Sequence, residues 1–493
     1  QFAADDELGS SAKDNLWQQD EQGNWRIDPE RDALRMANHT RVFHRKPTRE
    51  ECIAAVRKQF YSGEGAIQWA GEAVARANAD LLATPELKQT FLNIYASQGP
   101  EEARRWLKHH WPTLSEAELE HRLRRYGLNP CGEIIGCDFH CNLAEIHLNR
   151  LDPHNRQEQE EAFTAGALTA AALLHHRFVE PRFQRSREWD PIVGVSFTGL
   201  FDFCVKAFGV DWLRWWQEGR PDTPLGREFK QQEREYLSFW KEVVHRVVWD
   251  YCDRHGLRRP NRCTTVQPAG TKSLLTNASP GWHPPKAQRY IRRITFAKND
   301  PVALACLDYG YSVVPAQADK DENGNLLNDP FDPRCTEWLV ELPVEVEWAN
   351  LPGAEEIEIE RFSALAQFDF YMQVQKYYTT HNTSATIELR EDEIEALGSR
   401  IYEAIRDDEG YISAALLARF DAPFPRLPFE KIDKATYERL MAEVKQRRKV
   451  DNFYEALARY DRNLALMAEG PAGCDALGCL MPEASPQSEN PSR

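Results

Sequence analysis

A chain of 493 residues with 42% hydrophobic and 11% aromatic residues can bury a sizeable core, as two or more domains or as one large α/β domain with appendages. A net charge of −16 argues against a general nucleic-acid-binding surface, which needs a basic footprint; an anionic ligand would instead need a local pocket of N–H groups and a few cations. No apolar run approaches the roughly 20 residues of a membrane-spanning helix, no secretory signal is visible, and 11 cysteines without framework spacing point to reduced thiols in a cytoplasm.

In chain order, residues 1 to about 48 are polar, with turn signals at Gly23-Asn24 and Asp28-Pro29. The opening QFAADDELGSSAKDN has no initiator Met and reads as cut from a longer chain. From Arg49 to about Arg125 the pattern is helical, with Ile53, Val56 and Phe60 at helical spacing and an interruption at Gly63-Glu64-Gly65. A thiol-rich stretch, LNPCGEIIGCDFHCNLAEIHLN, covers Leu128 to Asn149. Arg156 to Phe178 is an alanine-rich helix, and Ile192 to Phe203 begins as a strand and turns through Gly199. A long amphipathic helix at about Arg227 to His255 stops at Gly256. Cys263 to Gly281 reads as a short strand, a Pro-Gly turn and a helix start. Then come a strand at about Tyr311 to Val314, an acidic turn at Asn323-Gly324, one or two strands in EWLVELPVEVEW, a helix at Phe362 to Tyr377, a strand near Ala385 to Leu389 and a helix from Glu391 to Arg406. This alternation predicts an α/β architecture with parallel strands. A Pro-rich connection follows Asp421, a helix runs from about Lys434 to Arg448, and the Gly- and Pro-rich tail from Gly470 should be mobile.

The densest chemistry lies around Cys131, between Asn129 and Glu133 on a Pro-Gly turn where the three side chains can converge. A neighbouring carboxylate raises a thiol pKa, which suits hydrogen-atom chemistry by a neutral thiol with Glu133 as general base, and does not suit an ordinary nucleophile. A buried cysteine in a plain turn is the bland alternative. Cys131, Cys137, His140 and Cys141 also contain enough ligands for a zinc site, though without paired C-x2-C knuckles. Cys474 and Cys479 form a C-x4-C pair on the tail, suited to thiol–disulfide exchange by a swinging arm, with a zinc site as the minor alternative. Ala269, Gly270, Thr271, Lys272 and Ser273 offer N–H groups, hydroxyls and a charge to a phosphate without being a Walker loop, and a plain N-cap explains them as well.

NPCGE, CNLAEIHLN, PAGTKSLL and the tail C-x4-C, in that order, resemble the adenosylcobalamin-dependent (class II) ribonucleotide reductases, nearest to the monomeric ribonucleoside-triphosphate reductase branch. RMANHTRVFHR, GVSFTGLFDF and HNTSATI at His381 to Ile387 agree, so the resemblance spans nearly the whole chain. It implies a ten-stranded α/β barrel of two five-stranded halves with a central finger loop, only partly covered here. Residues 1-125 would be the end of the first half with a helical region, 126-420 the finger loop and second half with the catalytic site, 421-469 a helical region and 470-493 the redox-active tail.

By the same resemblance Cys131 is the thiyl-radical site, Glu133 the base for the substrate 3′-hydroxyl and Asn129 its hydrogen-bonding partner. Cys141 is one of two thiols that reduce the 2′ position, Cys474 and Cys479 re-reduce the resulting disulfide, Ala269 to Ser273 bind substrate phosphates, and Cys137 is structural. The implied cofactor is adenosylcobalamin, the substrate a ribonucleoside triphosphate or diphosphate, and the external partner a thioredoxin-like reductant. The family places the partner of Cys141 far upstream on a barrel strand; Cys52 is the sole upstream cysteine and its setting, PTREECIAAVRKQF, reads as a helix. The chain is therefore expected to lack that partner and the effector region, which an upstream segment of the same enzyme would supply. The rival readings are a catalytically incomplete fragment that binds nucleotide or a partner chain only, and a zinc-stabilised thiol protein.

Overall fold

The strands in chain order are β1 (Phe2–Ala3), β2 (Trp17–Gln19), β3 (Trp25–Ile27), β4 (Thr40–Phe43), β5 (Ala66–Trp69), β6 (Gly127–Leu128), β7 (Ile135–Gly136), β8 (Leu143–His147), β9 (Gly194–Thr198), β10 (Arg289–Ala297), β11 (Ser312–Pro315), β12 (Glu337–Glu345), β13 (Thr386–Leu389), β14 (Ser413–Ala418) and β15 (Phe429–Lys431). The computed structural model describes residues 1–19, 25–27, 29–37, 39–62, 66–419 and 425–460. The expected turns at Gly23-Asn24, Asp28 and Gly63 to Gly65, the start of the Pro-rich connection and the tail with Cys474 and Cys479 lie outside the described residues.

Two compact units divide the chain, Gln1–Pro284 with Pro352–Phe420, and Pro285–Leu351 with Asp421–Arg493. The second unit is discontinuous in sequence, because the stretch from Pro285 to Leu351 pairs its strands with β15 and not with those of the first unit.

In the first unit, β1, β4 and β5 are parallel, β5 meets β14 antiparallel, and β14 runs parallel to β13. β8 and β9 form a second parallel pair. Single parallel bridges extend the series from Val195 on β9 to Thr264, and from Val266 to Thr383 just ahead of β13. One group of strands thus runs from β8 through β9, the 264–266 stretch and β13 to β14, and a second group, β5, β4 and β1, runs the opposite way. Burial explains the residue choice: every residue of β4 and of β9 is buried, as in sheets covered on both faces. Helix Arg156–Ala172 makes the crossover between β8 and β9 and packs on both, while helix Pro224–Arg254 packs outside it.

Strand β5 falls inside the region expected to be helical throughout. Its AIQW run is too short for a periodicity to show, and its burial against β4 and β14 overrides local helix preference. Cys52 is on helix Arg49–Ser62 and fully buried.

The second unit corrects the expectation of parallel strands throughout. Its sheet, ordered β11-β12-β10-β15, is antiparallel at every pairing. EWLVELPVE forms one strand, β12, and the basic β10 pairs along its whole length, with Arg289 and Arg293 meeting Glu345 and Glu341 across the ladder. Trp338, Val340, Val313, Cys306 and Cys335 fill its core. Among the described residues, no helix is long and apolar enough to cross a membrane.

Candidate active site

The thiol-rich stretch folds as a small hairpin. β6 and β7 pair Gly127 with Gly136 and Leu128 with Ile135, which leaves Asn129 to Ile134 as the loop. A Cβ on Gly127 would lie 2.8 Å from the Gly136 carbonyl oxygen, so the two arms can close only over glycine. At the tip Gly132 adopts φ +78°, the left-handed region, and its N–H donates to the Asn129 carbonyl at 2.9 Å. Asn129 turns its side-chain oxygen back to accept from the Ile134 N–H at 3.0 Å and hydrogen-bonds the Glu133 carboxyl.

The hairpin is held from outside by the stretch His381 to Ser384. Ser384 Oγ donates to the Cys131 carbonyl at 2.7 Å, Asn382 Nδ2 to the Gly132 carbonyl at 2.6 Å, and the Asn382 N–H to the Glu133 carbonyl at 3.1 Å. Thr265 Oγ1 also donates to the Glu133 carbonyl, at 2.7 Å. Gln375 in turn fixes Asn382, donating to its Oδ1 at 3.1 Å. His381 accepts from the Ile135 N–H at Nδ1 and donates from Nε2 to the Val193 carbonyl, an assignment that requires the neutral ring. Burial, with Arg262 adding to it, pushes this imidazole well below its ordinary pKa.

Cys131 is exposed at the tip, whereas Glu133 is 2% exposed and its Oε2 has no hydrogen-bond partner. Burial, then the Glu133 charge, push the Cys131 thiol up to about 11 against the opposing pull of Lys272. Cys141 is pushed up to about 12 by burial and by the charges of Glu133 and Cys131, which places the three groups in one electrostatic neighbourhood. The Glu133 carboxyl is raised by burial, against the Asn129 hydrogen bond and Lys272. Both thiols are therefore neutral near pH 7, the form that carries a hydrogen atom.

On the far wall, Gln267 to Thr276 bring a second set of groups. Ala269 is bent to φ +53°, Gly270, Thr271 and Lys272 are exposed, and Ser273 is buried at the start of the short 3-10 helix Lys272–Thr276. Lys272 Nζ donates to Gln267 Oε1 at 2.9 Å and lies 3.7 Å from the Glu145 carboxylate on β8. Glu145 is a residue that the sequence reading missed, together with the anchors Thr265, Asn382 and Ser384. The available signal was a carboxylate among the apolar Leu143, Ala144 and Ile146 of the strand LAEIH.

The other members of the stretch diverge. Cys137 lines a separate cavity of about 200 Å³ with His121, Arg124 and Trp189, and the His140 ring packs against Phe178. Among the described residues, no group of three or more His, Cys, Asp and Glu side chains gathers in a way that could hold a metal ion.

No family model matches the chain. It is similar to an adenosylcobalamin-dependent ribonucleoside-triphosphate reductase of Levilactobacillus brevis, 28% identical over 331 residues, which is 64% of this chain and 40% of the relative. One from Lactobacillus leichmannii is 27% identical over 333 residues, 64% of this chain and 41% of the relative, and one from Euglena gracilis is 27% identical over 55% of this chain and 31% of the relative. The chain thus spans about 40% of the length of the Lactobacillus-type relatives it matches. Among solved structures, a crystal structure of a B12-dependent (class II) ribonucleotide reductase aligns with a TM-score of 0.52 at 22% identity, covering 68% of this chain and 44% of that one, a likeness of fold.

Proposed function

We propose that this chain carries the radical site of an adenosylcobalamin-dependent ribonucleotide reductase acting on ribonucleoside triphosphates, with diphosphates as the other substrate class. The observation that carries this reading is the neutral Cys131 thiol, exposed at the tip of a hairpin whose next backbone turn buries an unpartnered Glu133 oxygen. The named reductase relatives supply the reaction class. The strand series, two oppositely directed parallel groups meeting at β5 and β14, supports a barrel of the ten-stranded type with the hairpin as its finger.

Adenosylcobalamin, when bound, supplies an organic radical by homolysis of its cobalt–carbon bond. The donor set fits that chemistry, since the site offers a neutral, accessible thiol with a hydrogen atom to give and holds no competing thiolate near pH 7. Cys131, having lost its hydrogen atom, takes the 3′-hydrogen of the ribose. Glu133, its carboxyl raised by burial and oriented by Asn129, takes the 3′-hydroxyl proton. Cys141 is one of two thiols whose electrons replace the 2′-hydroxyl, which leaves as water. Ala269 to Ser273 receive the phosphates, where Gly270, Thr271 and the charged Lys272 are exposed. Cys474 and Cys479 would pass electrons from a thioredoxin-like reductant.

The test is adenosylcobalamin-dependent conversion of CTP to its deoxy form by the enzyme containing this chain, with Cys131→Ala and Glu133→Gln as comparisons. Product formation lost in both variants is the expected result. Unchanged turnover by Cys131→Ala would sink the assignment. Nucleotide binding with no cobalamin-dependent product would select the rival reading, binding without turnover.

A further inference from the structure

Glu145 stands on β8 facing the proposed phosphate loop, its side chain 5% exposed while that of Lys272 is 53% exposed. The pair is a loose one. Lys272 Nζ is 3.7 Å from Oε2, Gln267 Nε2 reaches the same oxygen only at 3.4 Å, and Oε1 is buried with no hydrogen-bond partner. A buried carboxylate satisfied on one side by one movable cation is a poor structural ion pair, because losing the cation leaves it uncompensated. It is well suited to a site where an arriving anion competes for that cation.

We propose that Glu145 is the counter-ion which Lys272 gives up for the nucleotide phosphates, so that nucleotide binding is coupled to proton uptake by Glu145. This rests on the assignment of Lys272 to the phosphate loop. In the structure Lys272 shares its charge between Gln267 and Glu145. Phosphate oxygens are stronger acceptors than a carboxylate held at 3.7 Å, so the ammonium turns outward and Glu145 loses its nearest positive charge. Burial already holds the Glu145 carboxyl up at about 7, against the pull of Lys272 and with the Glu133 charge adding to the rise. The remaining titratable neighbours give no replacement for the cation. Glu133 is acidic, the Cys131 and Cys141 thiols are neutral near pH 7, and His147, further along β8, is lowered by burial with Arg150 and Lys272. Glu145 therefore takes a proton when the phosphates arrive. By linkage, affinity is highest below about pH 7 and falls as pH rises above it, by at most about tenfold per pH unit for one proton.

The experiment is titration calorimetry of the full chain with CTP in buffers of different ionisation enthalpy, from pH 6.5 to 8.5, on wild type, Glu145→Gln and Lys272→Met. The proton count of the wild type needs no variant to fold. The nucleotide's own phosphate ionisation is common to all three proteins and cancels in their difference. Proton uptake by wild type that Glu145→Gln abolishes, with a flatter pH profile for that variant and tighter CTP binding at pH 8.5, is the expected result. Equal proton counts in wild type and Glu145→Gln overturn the coupling while leaving the phosphate loop intact. CTP affinity unchanged by Lys272→Met overturns the phosphate assignment itself, and the coupling with it.

Discussion

The 127–136 hairpin and the 267–276 loop share one electrostatic neighbourhood, through Lys272 with Cys131 and Glu133, and are built on opposite plans. Three successive carbonyls at the hairpin tip, of Cys131, Gly132 and Glu133, are each held by a donor from 382–384 or Thr265, so the backbone under an exposed thiol is rigid. The loop is fastened at its far end, where Thr276 bonds His147 and Asn149, while its apex from Gly270 to Lys272 is open to solvent. Reactions of a radical demand a fixed geometry, whereas capture of a charged, hydrated ligand needs side chains free to exchange partners.

The most drastic way to break this contrast is at the tip. Cys131→Ala should abolish nucleotide reduction by the enzyme, read as deoxynucleotide formed, while leaving the unfolding midpoint in denaturant essentially unmoved because the side chain is exposed. A chemical probe comes next. Despite its exposure, Cys131 should react with iodoacetamide at pH 8 roughly a hundredfold more slowly than a free cysteine, since the thiolate is scarce, and Glu133→Gln should accelerate it. A rate equal to that of free cysteine would refute the neutral-thiol description.

Removing an anchor tests the rigid half. Asn382→Ala leaves the Gly132 carbonyl without its side-chain donor and Gln375 Nε2 with only the Gly410 carbonyl as acceptor, and should cost about 1–3 kcal/mol in global stability by urea unfolding. Ser384→Ala, at a more accessible bond, should cost about 1 kcal/mol or less. An equal loss from both would mean that burial does not set the scale.

Acid should separate the two regions most gently. The His381 value is depressed below the unfolded value, so the unfolded chain takes the proton first. The stabilisation from the neutral ring is present above about pH 6.5 and is lost as pH falls toward the folded value, at no more than about 1.4 kcal/mol per pH unit. Opening of the hairpin frees the ring to take a proton near its ordinary value, so protection of the Ile135 amide against hydrogen exchange should fall as pH drops below about 6.5 while that of Ser273 does not follow it. Parallel loss at both amides would show that the hairpin and the loop unfold together.

The grouping of Asn129, Cys131 and Glu133 was legible because all three lie within one turn, where Pro130 fixes φ, Gly132 permits the left-handed bend and alternation brings the side chains together. Lys272 was legible as a charge beside Gly270, but its relation to Glu145 was not, since a strand and a loop distant in sequence meet only after the sheet has formed. HNTSATI carried a resemblance without a role; its buried Asn382 and half-buried Ser384 acquire one only as donors to the hairpin carbonyls. Strand β5 was lost in a helical background, and the antiparallel unit was hidden because alternating strand and helix signals do not state which strands pair.

What the amino-acid sequence determined by itself was local: which residues turn, which stretches are helical, and which thiols share a loop with a carboxylate. These follow from backbone sterics and side-chain periodicity within a few residues. The tertiary structure decided which thiols stay together, sending Cys137 to another cavity and keeping Cys141 beside Cys131 and Glu133. It also decided the protonation of the site, because burial, which no short window of sequence contains, is the largest cause of the shifts at Cys131, Cys141, Glu133 and Glu145.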